Sequence, residues 1–282
     1  MKILIILLLI LTSQVTLAQT AKVLIVGDSW AQLQIDNNTH NQVFSDNGFA
    51  DINISPISDS TSDNGKQASD WAMPLQLQII LDALTNNPDI NTVQLTLGGN
   101  DFLNNWQVTM TTQQQIDLQN QIATNLTTII DAILSIDTDI QVILSFYDYP
   151  NFEDTIGGLF GTTCLNLLTD MATPTTTELN TAARAFENVY SQIADNNPRI
   201  FHVSHFGLMQ SYYGFPNQGI QPGDILPPGD INKPSPLDAM RDFTVTHDCF
   251  HLSPQGYEYL VQNTFDGYFK NRFDSVFSSG FE

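Results

Sequence analysis

Lys22-Val23-Leu24-Ile25-Val26-Gly27-Asp28-Ser29-Trp30-Ala31 opens with an unbroken apolar run and stops at a glycine and an aspartate. A short continuous apolar run bounded by such residues is the pattern of a strand buried on both faces. The Gly-Asp-Ser that follows reads as a sharp strand-to-helix turn, which would hold a serine hydroxyl at the edge of a sheet beside a helix N-terminus. Taken alone, that serine suits an ordinary helix cap as well as a nucleophile.

Working outward, the same alternation recurs. Apolar runs predict strands at 22–27, about 51–57, 92–97, 140–146 and 199–204. Between them, longer amphipathic stretches predict helices at about 31–47, 72–86, 112–136 and 175–196, with a last helix at 254–269. Strand then helix, repeated, implies an α/β fold with a five-stranded parallel sheet covered on both faces. Helix stops agree: Asn86-Asn87-Pro88 and Asn196-Asn197-Pro198 each place polar residues and a proline ahead of the next strand. Ser253-Pro254 reads as an N-cap followed by a first-turn proline.

In sheets of this kind ligands bind outside the carboxyl ends of the strands. After the third strand stands Gly98-Gly99-Asn100-Asp101, where glycines allow close backbone approach and Asn100 can offer an N–H to a developing oxyanion. Before the last helix stands His247-Asp248-Cys249-Phe250-His251, expected as a loop. Its Asp-x-x-His spacing lets Asp248 fix the ring of His251 as a base; His247, without a carboxylate three residues before it, is the weaker alternative. Asp28 and Asp101 read as turn and strand-end hydrogen-bonding groups, and His40, His202 and His205 as structural residues.

Gly-Asp-Ser, Gly-Gly-Asn-Asp and Asp-x-x-His, in this order, resemble the motif blocks of the SGNH (GDSL-type) hydrolases. The resemblance implies a three-layer, flavodoxin-like α/β/α sandwich needing neither metal nor organic cofactor. It implies Ser29 as nucleophile, His251 as general base and then acid, and Asp248 as its orienting partner. It also implies an oxyanion hole built from the Ser29 N–H, a glycine N–H and Asn100. Gly65-Lys66-Gln67-Ala68-Ser69-Asp70-Trp71 resembles the family's Gly-x-x-Ala-x-x-Trp block, which nominates Gly65. The polar residues before it, and Trp30 where leucine is more frequent, depart from the commoner form.

Met1-Lys2, the apolar run at 3–11 and the exit Thr16-Leu17-Ala18 read as a cleavable secretory signal at 1–18. That run falls well short of the roughly 20 residues a membrane-spanning helix needs. The expected organisation is a hydrolase domain at 19–272 and a C-terminal tail at 273–282, in the periplasm or the medium. Two cysteines, Cys164 and Cys249, form an even set in an oxidising compartment and favour one disulfide. A net charge of −21 leaves little to neutralise phosphates, which argues against nucleic acid and anionic membranes as partners.

Zinc and calcium motifs of the usual spacing are absent from the sequence. Substrate choice is expected in the long segments 147–174 and 205–247, which carry Phe152, Gly157-Gly158, Phe160, Tyr212-Tyr213 and Phe215. Three readings remain at this point: a lipid or short-chain ester hydrolase, a carbohydrate O-acetylesterase, and a catalytically silent binding module.

Overall fold

The computed structural model describes residues 20–157, 161–243 and 246–278. The signal expected at 1–18 lies outside these residues, as do Gly158 and Phe160. Five parallel strands, β1 (Thr20–Gly27), β2 (Ile52–Ile54), β3 (Thr92–Thr96), β4 (Gln141–Ser145) and β5 (Ile200–Val203), pair in the order β2-β1-β3-β4-β5. That is the flavodoxin-like order, with its reversal between β1 and β3. Two further strands, β6 (Met240–Asp242) and β7 (His247–Leu252), form a separate antiparallel ribbon.

The helices are α1 (Ser29–Asp36), α2 (Thr39–Asp46), α3 (Ala68–Trp71), α4 (Pro74–Asn86), α5 (Gly99–Asn105) and α6 (Thr112–Leu134). They continue with α7 (Thr162–Asp170), α8 (Thr176–Asp195), α9 (Leu208–Tyr213), α10 (Pro254–Thr264) and α11 (Lys270–Ser278). Successive strand residues point to opposite faces, so β1 feeds two cores. Leu24 and Val26 join α4, α6 and α8 on one face, while Val23 and Ile25 meet Val43, Phe44, Val261 and Phe269 on the other. The result is the expected three-layer sandwich.

Caps fall where the sequence places them. Ser253 Oγ accepts the Gly256 N–H at 3.1 Å at the start of α10, and Asn87 and Asn196 cap α4 and α8. Three expectations change. The helix expected at 31–47 is two, because Asn38 takes the left-handed conformation (φ 54°) that asparagine tolerates better than most residues. The segment holding Asp248 and His251 is strand β7 rather than loop, since it finds a partner in Met240–Asp242. The tail expected from residue 273 instead begins inside a helix: a π-helical turn, Phe265–Phe269, runs into α11. Phe273 is buried there against Phe44 and Phe269.

The expected disulfide is present between Cys164 on α7 and Cys249 on β7, 85 residues apart. Closing a loop of that length removes unfolded-state entropy on the order of 4–5 kcal/mol. It ties an inserted helix to the ribbon.

Candidate active site

At the end of β1 the chain turns within one residue. A Cβ on Gly27 would lie 2.3 Å from the Thr96 carbonyl oxygen and 2.7 Å from Ala31 Cβ, so only glycine fits. Asp28 then caps α1, its Oδ1 accepting the Trp30 N–H at 3.0 Å. Ser29 becomes the first residue of α1 and is nearly buried. Its own N–H, one of the first-turn amides a helix leaves unpaired, donates to no acceptor among the described residues.

Ribbon β6–β7 delivers the other two groups from the far end of the sequence. His251 Nε2 lies 2.7 Å from Ser29 Oγ, and its Nδ1 lies 2.8 Å from Asp248 Oδ2. Asp248 Oδ1 accepts the N–H groups of Phe250 at 2.8 Å and His251 at 3.0 Å, which fixes the carboxylate. Burial pushes that carboxyl up, but the His251 ring and the two backbone donors outweigh it and hold it below the usual carboxylate range. An ionised Asp248 keeps the ring proton on Nδ1 and turns the Nε2 lone pair toward the serine hydroxyl.

Asn100 stands in the first turn of α5, where Gly98 takes φ 102° to start the helix. Its Nδ2 donates to Asp28 Oδ2 at 3.1 Å and to the Lys66 carbonyl at 3.0 Å. Both of its N–H groups are therefore engaged, and donation to a substrate oxygen requires that one of these bonds be exchanged. Gly65 precedes Lys66, whose carbonyl meets Asn100, and does not itself line the cleft beside the Ser29–His251 pair. Gly65 is exposed, with φ 77° and an N–H that donates to no acceptor among the described residues.

Tyr147, two residues beyond β4, belongs to no sequence motif. Its hydroxyl makes a short hydrogen bond to Asp28 Oδ2, and its ring lies against Gly99, where a Cβ would come within 2.2 Å of it. Asp28 is fully buried; desolvation, only partly offset by Tyr147, the Trp30 N–H and His251, pushes its carboxyl up to about 7. Asp101 likewise acts as a hydrogen-bonding group, accepting the Ala68 N–H at 2.7 Å. Asp28 and Asp101 thus hold the loops around Ser29, as their positions suggest.

The remaining histidines stand apart from this chain of bonds. His40 bonds Gln94 at 2.9 Å, and His205 bridges the Phe146 carbonyl and Thr264 Oγ1 at 3.2 and 3.1 Å. His202 faces Glu187 at 3.5 Å. Among the described residues no group of three or more His, Cys, Asp or Glu side chains is placed to hold a metal ion, and no helix is long and apolar enough to cross a membrane.

A cleft of about 580 Å³ opens beside the Ser29–His251 pair, lined in part by Asn100, His251, His247 and Phe250. It draws Thr163, Cys164 and Leu167 from the first long segment and Phe243, Thr246 and His247 from the end of the second and the start of β7. Of the aromatics noted there, Phe152 is in the core, and Tyr212, Tyr213 and Phe215 do not line this cleft. His247 lines the cleft, but the ring that hydrogen-bonds Ser29 is that of His251.

Solved structures share this architecture. A Streptococcus pneumonia protein named after platelet activating factor aligns with a TM-score of 0.54 at 16% identity, over 90% of this chain and 86% of that one. A family 3 carbohydrate esterase of Clostridium thermocellum aligns with a TM-score of 0.48 at 15% identity, over 89% of this chain and 96% of its own. At such identity the first likeness is one of fold. A comparison with curated proteins finds no match. From residue 25 to residue 259, a span that holds Ser29, Asn100 and His251, the sequence matches the GDSL-like Lipase/Acylhydrolase family, and the chain belongs to it.

Proposed function

We propose that this protein is an exported serine ester hydrolase that works through an acyl-enzyme on Ser29. The observation that carries the reading is the continuous hydrogen-bonded chain Ser29 Oγ to His251 Nε2 and His251 Nδ1 to Asp248 Oδ2, at 2.7 and 2.8 Å. Family membership supplies the reaction class, ester hydrolysis with serine.

In this mechanism Ser29 Oγ attacks the ester carbonyl carbon while His251 Nε2 takes its proton. The oxyanion is met by the Ser29 N–H, by the Gly65 N–H and by Asn100, which gives up its bond to the Lys66 carbonyl. Collapse of the tetrahedral centre breaks the ester C–O bond, and the alcohol leaves with the proton from His251. Water then attacks the acyl carbon, again losing a proton to His251, and the carboxylic acid is released as Ser29 regains its hydrogen. Asp248 stays ionised throughout and stabilises the imidazolium.

Export rests on the secretory pattern at 1–18 and agrees with a disulfide in the domain that follows. The test of function is hydrolysis of p-nitrophenyl butyrate by the purified mature protein and by Ser29→Ala. Turnover that disappears in the variant is expected; equal turnover by both proteins would reject Ser29 as nucleophile.

A further inference from the structure

The cleft beside Ser29 has an apolar floor and a polar rim. Leu103, Cys164, Cys249 and Phe250 are each less than one tenth exposed, and together they form the floor. Asn104 and Thr163 are exposed at the rim. The polar groups near Ser29 are already committed: Asp248 to His251, and Asn100 to Asp28 and Lys66. No lysine or arginine lines the space. A polyhydroxylated ring would find no polar side chain on this floor, its partners being confined to His247 and the rim, whereas an aliphatic chain laid along the floor would gain by burial.

Two of the groups placed at the reacting centre, Asn100 and His251, line the same cleft, so a chain lying in it is continuous with the carbonyl at Ser29. Leu167 of α7 also lines the cleft, and the Cys164–Cys249 bond fixes α7 to the strand carrying His251. We propose that this cleft is the acyl-chain subsite of the enzyme, and that Leu103 and Leu167 select aliphatic acyl groups longer than acetyl. The assignment rests on the esterase reading given above and names its substrate class.

The experiment is a series of p-nitrophenyl esters, acetate, butyrate, hexanoate and octanoate, hydrolysed by the oxidised mature protein, by Leu167→Trp and by Ser29→Ala. The leaving group is constant, so only the acyl chain changes. The wild type is expected to gain up to about fourfold in kcat/KM per methylene until the cleft is filled. In Leu167→Trp, with the cleft narrowed, the octanoate-to-acetate ratio of kcat/KM is expected to drop at least about tenfold, with circular dichroism and melting temperature read in parallel. The wild-type series decides the matter even where that variant does not fold. Ser29-dependent turnover that is flat or falls from acetate onward would overturn the acyl subsite and leave the esterase reading standing. Turnover indifferent to Ser29→Ala, or no turnover of any ester, would overturn both.

Discussion

Asp248 accepts three hydrogen bonds, from the Phe250 N–H, the His251 N–H and the His251 ring. In Asp248→Asn an amide oxygen can keep the two backbone bonds, while the amide nitrogen facing Nδ1 favours the wrong imidazole tautomer. The expected outcome is a native circular dichroism spectrum with kcat lowered on the order of a thousandfold to ten-thousandfold, read by steady-state ester hydrolysis. Wild-type kcat in this variant would remove Asp248 from the mechanism. The three residues of this chain were legible in the sequence because each belongs to a short motif whose spacing has a chemical meaning. Tyr147 was not, because a tyrosine after an apolar strand carries no motif and its bond to Asp28 spans 119 positions. The committed hydrogen bonds of Asn100 were equally invisible, since the Lys66 carbonyl that accepts from it belongs to a loop whose course the sequence leaves open.

Regular elements were read best where periodicity and stops agreed, as in α6 and α8, each opened by a threonine capping box. They were read worst where a local device interrupts the pattern. Asn38 splits the first helix without disturbing its apolar spacing, and β7 depends on a partner strand whose Met-Arg-Asp has no alternation. At the C-terminus Phe265, Phe269 and Phe273 recur at intervals of four, with no glycine or proline after Gly267 to stop a helix before 273. That spacing was the available sign that the last helix continues. Phe273 packs on Phe44, Phe49, Phe265 and Phe269 in the second core. Phe273→Ala is expected to lower unfolding free energy by roughly 3–5 kcal/mol in urea denaturation. A loss below about 1 kcal/mol, the size of an ordinary surface change, would mean that α11 is not part of the core.

Over the whole molecule, buried ionisable groups of both kinds set the pH dependence of stability. Asp28 and Asp148 are raised to about 7 by burial, so the folded state favours their protonated forms. Their contribution is complete below the unfolded value of 3.8 and is lost as pH rises through about 7. His40 and His205 are lowered to about 4, again by burial, so their contribution is complete above 6.5 and is lost as pH falls toward 4. Between roughly pH 4.5 and 6.5 the two pairs oppose each other. The melting temperature is therefore expected to be nearly level across that window and to decline from about 6.5 to 7, where the histidine contribution is complete and the aspartate contribution is still being lost, and a net charge of −21 adds self-repulsion. A steep fall between pH 6.5 and 4.5 would show that the aspartates do not offset the histidines.

The fold brings a serine from residue 29 and a histidine from residue 251 within 2.7 Å of one another, and the proposed chemistry depends on that meeting. The most direct test is intact-mass and peptide analysis of the mature protein treated with an alkyl fluorophosphonate, which traps an activated serine covalently. One adduct per chain, located on Ser29 and absent in His251→Ala, is the predicted result; an unmodified Ser29, or equal labelling without His251, would contradict it.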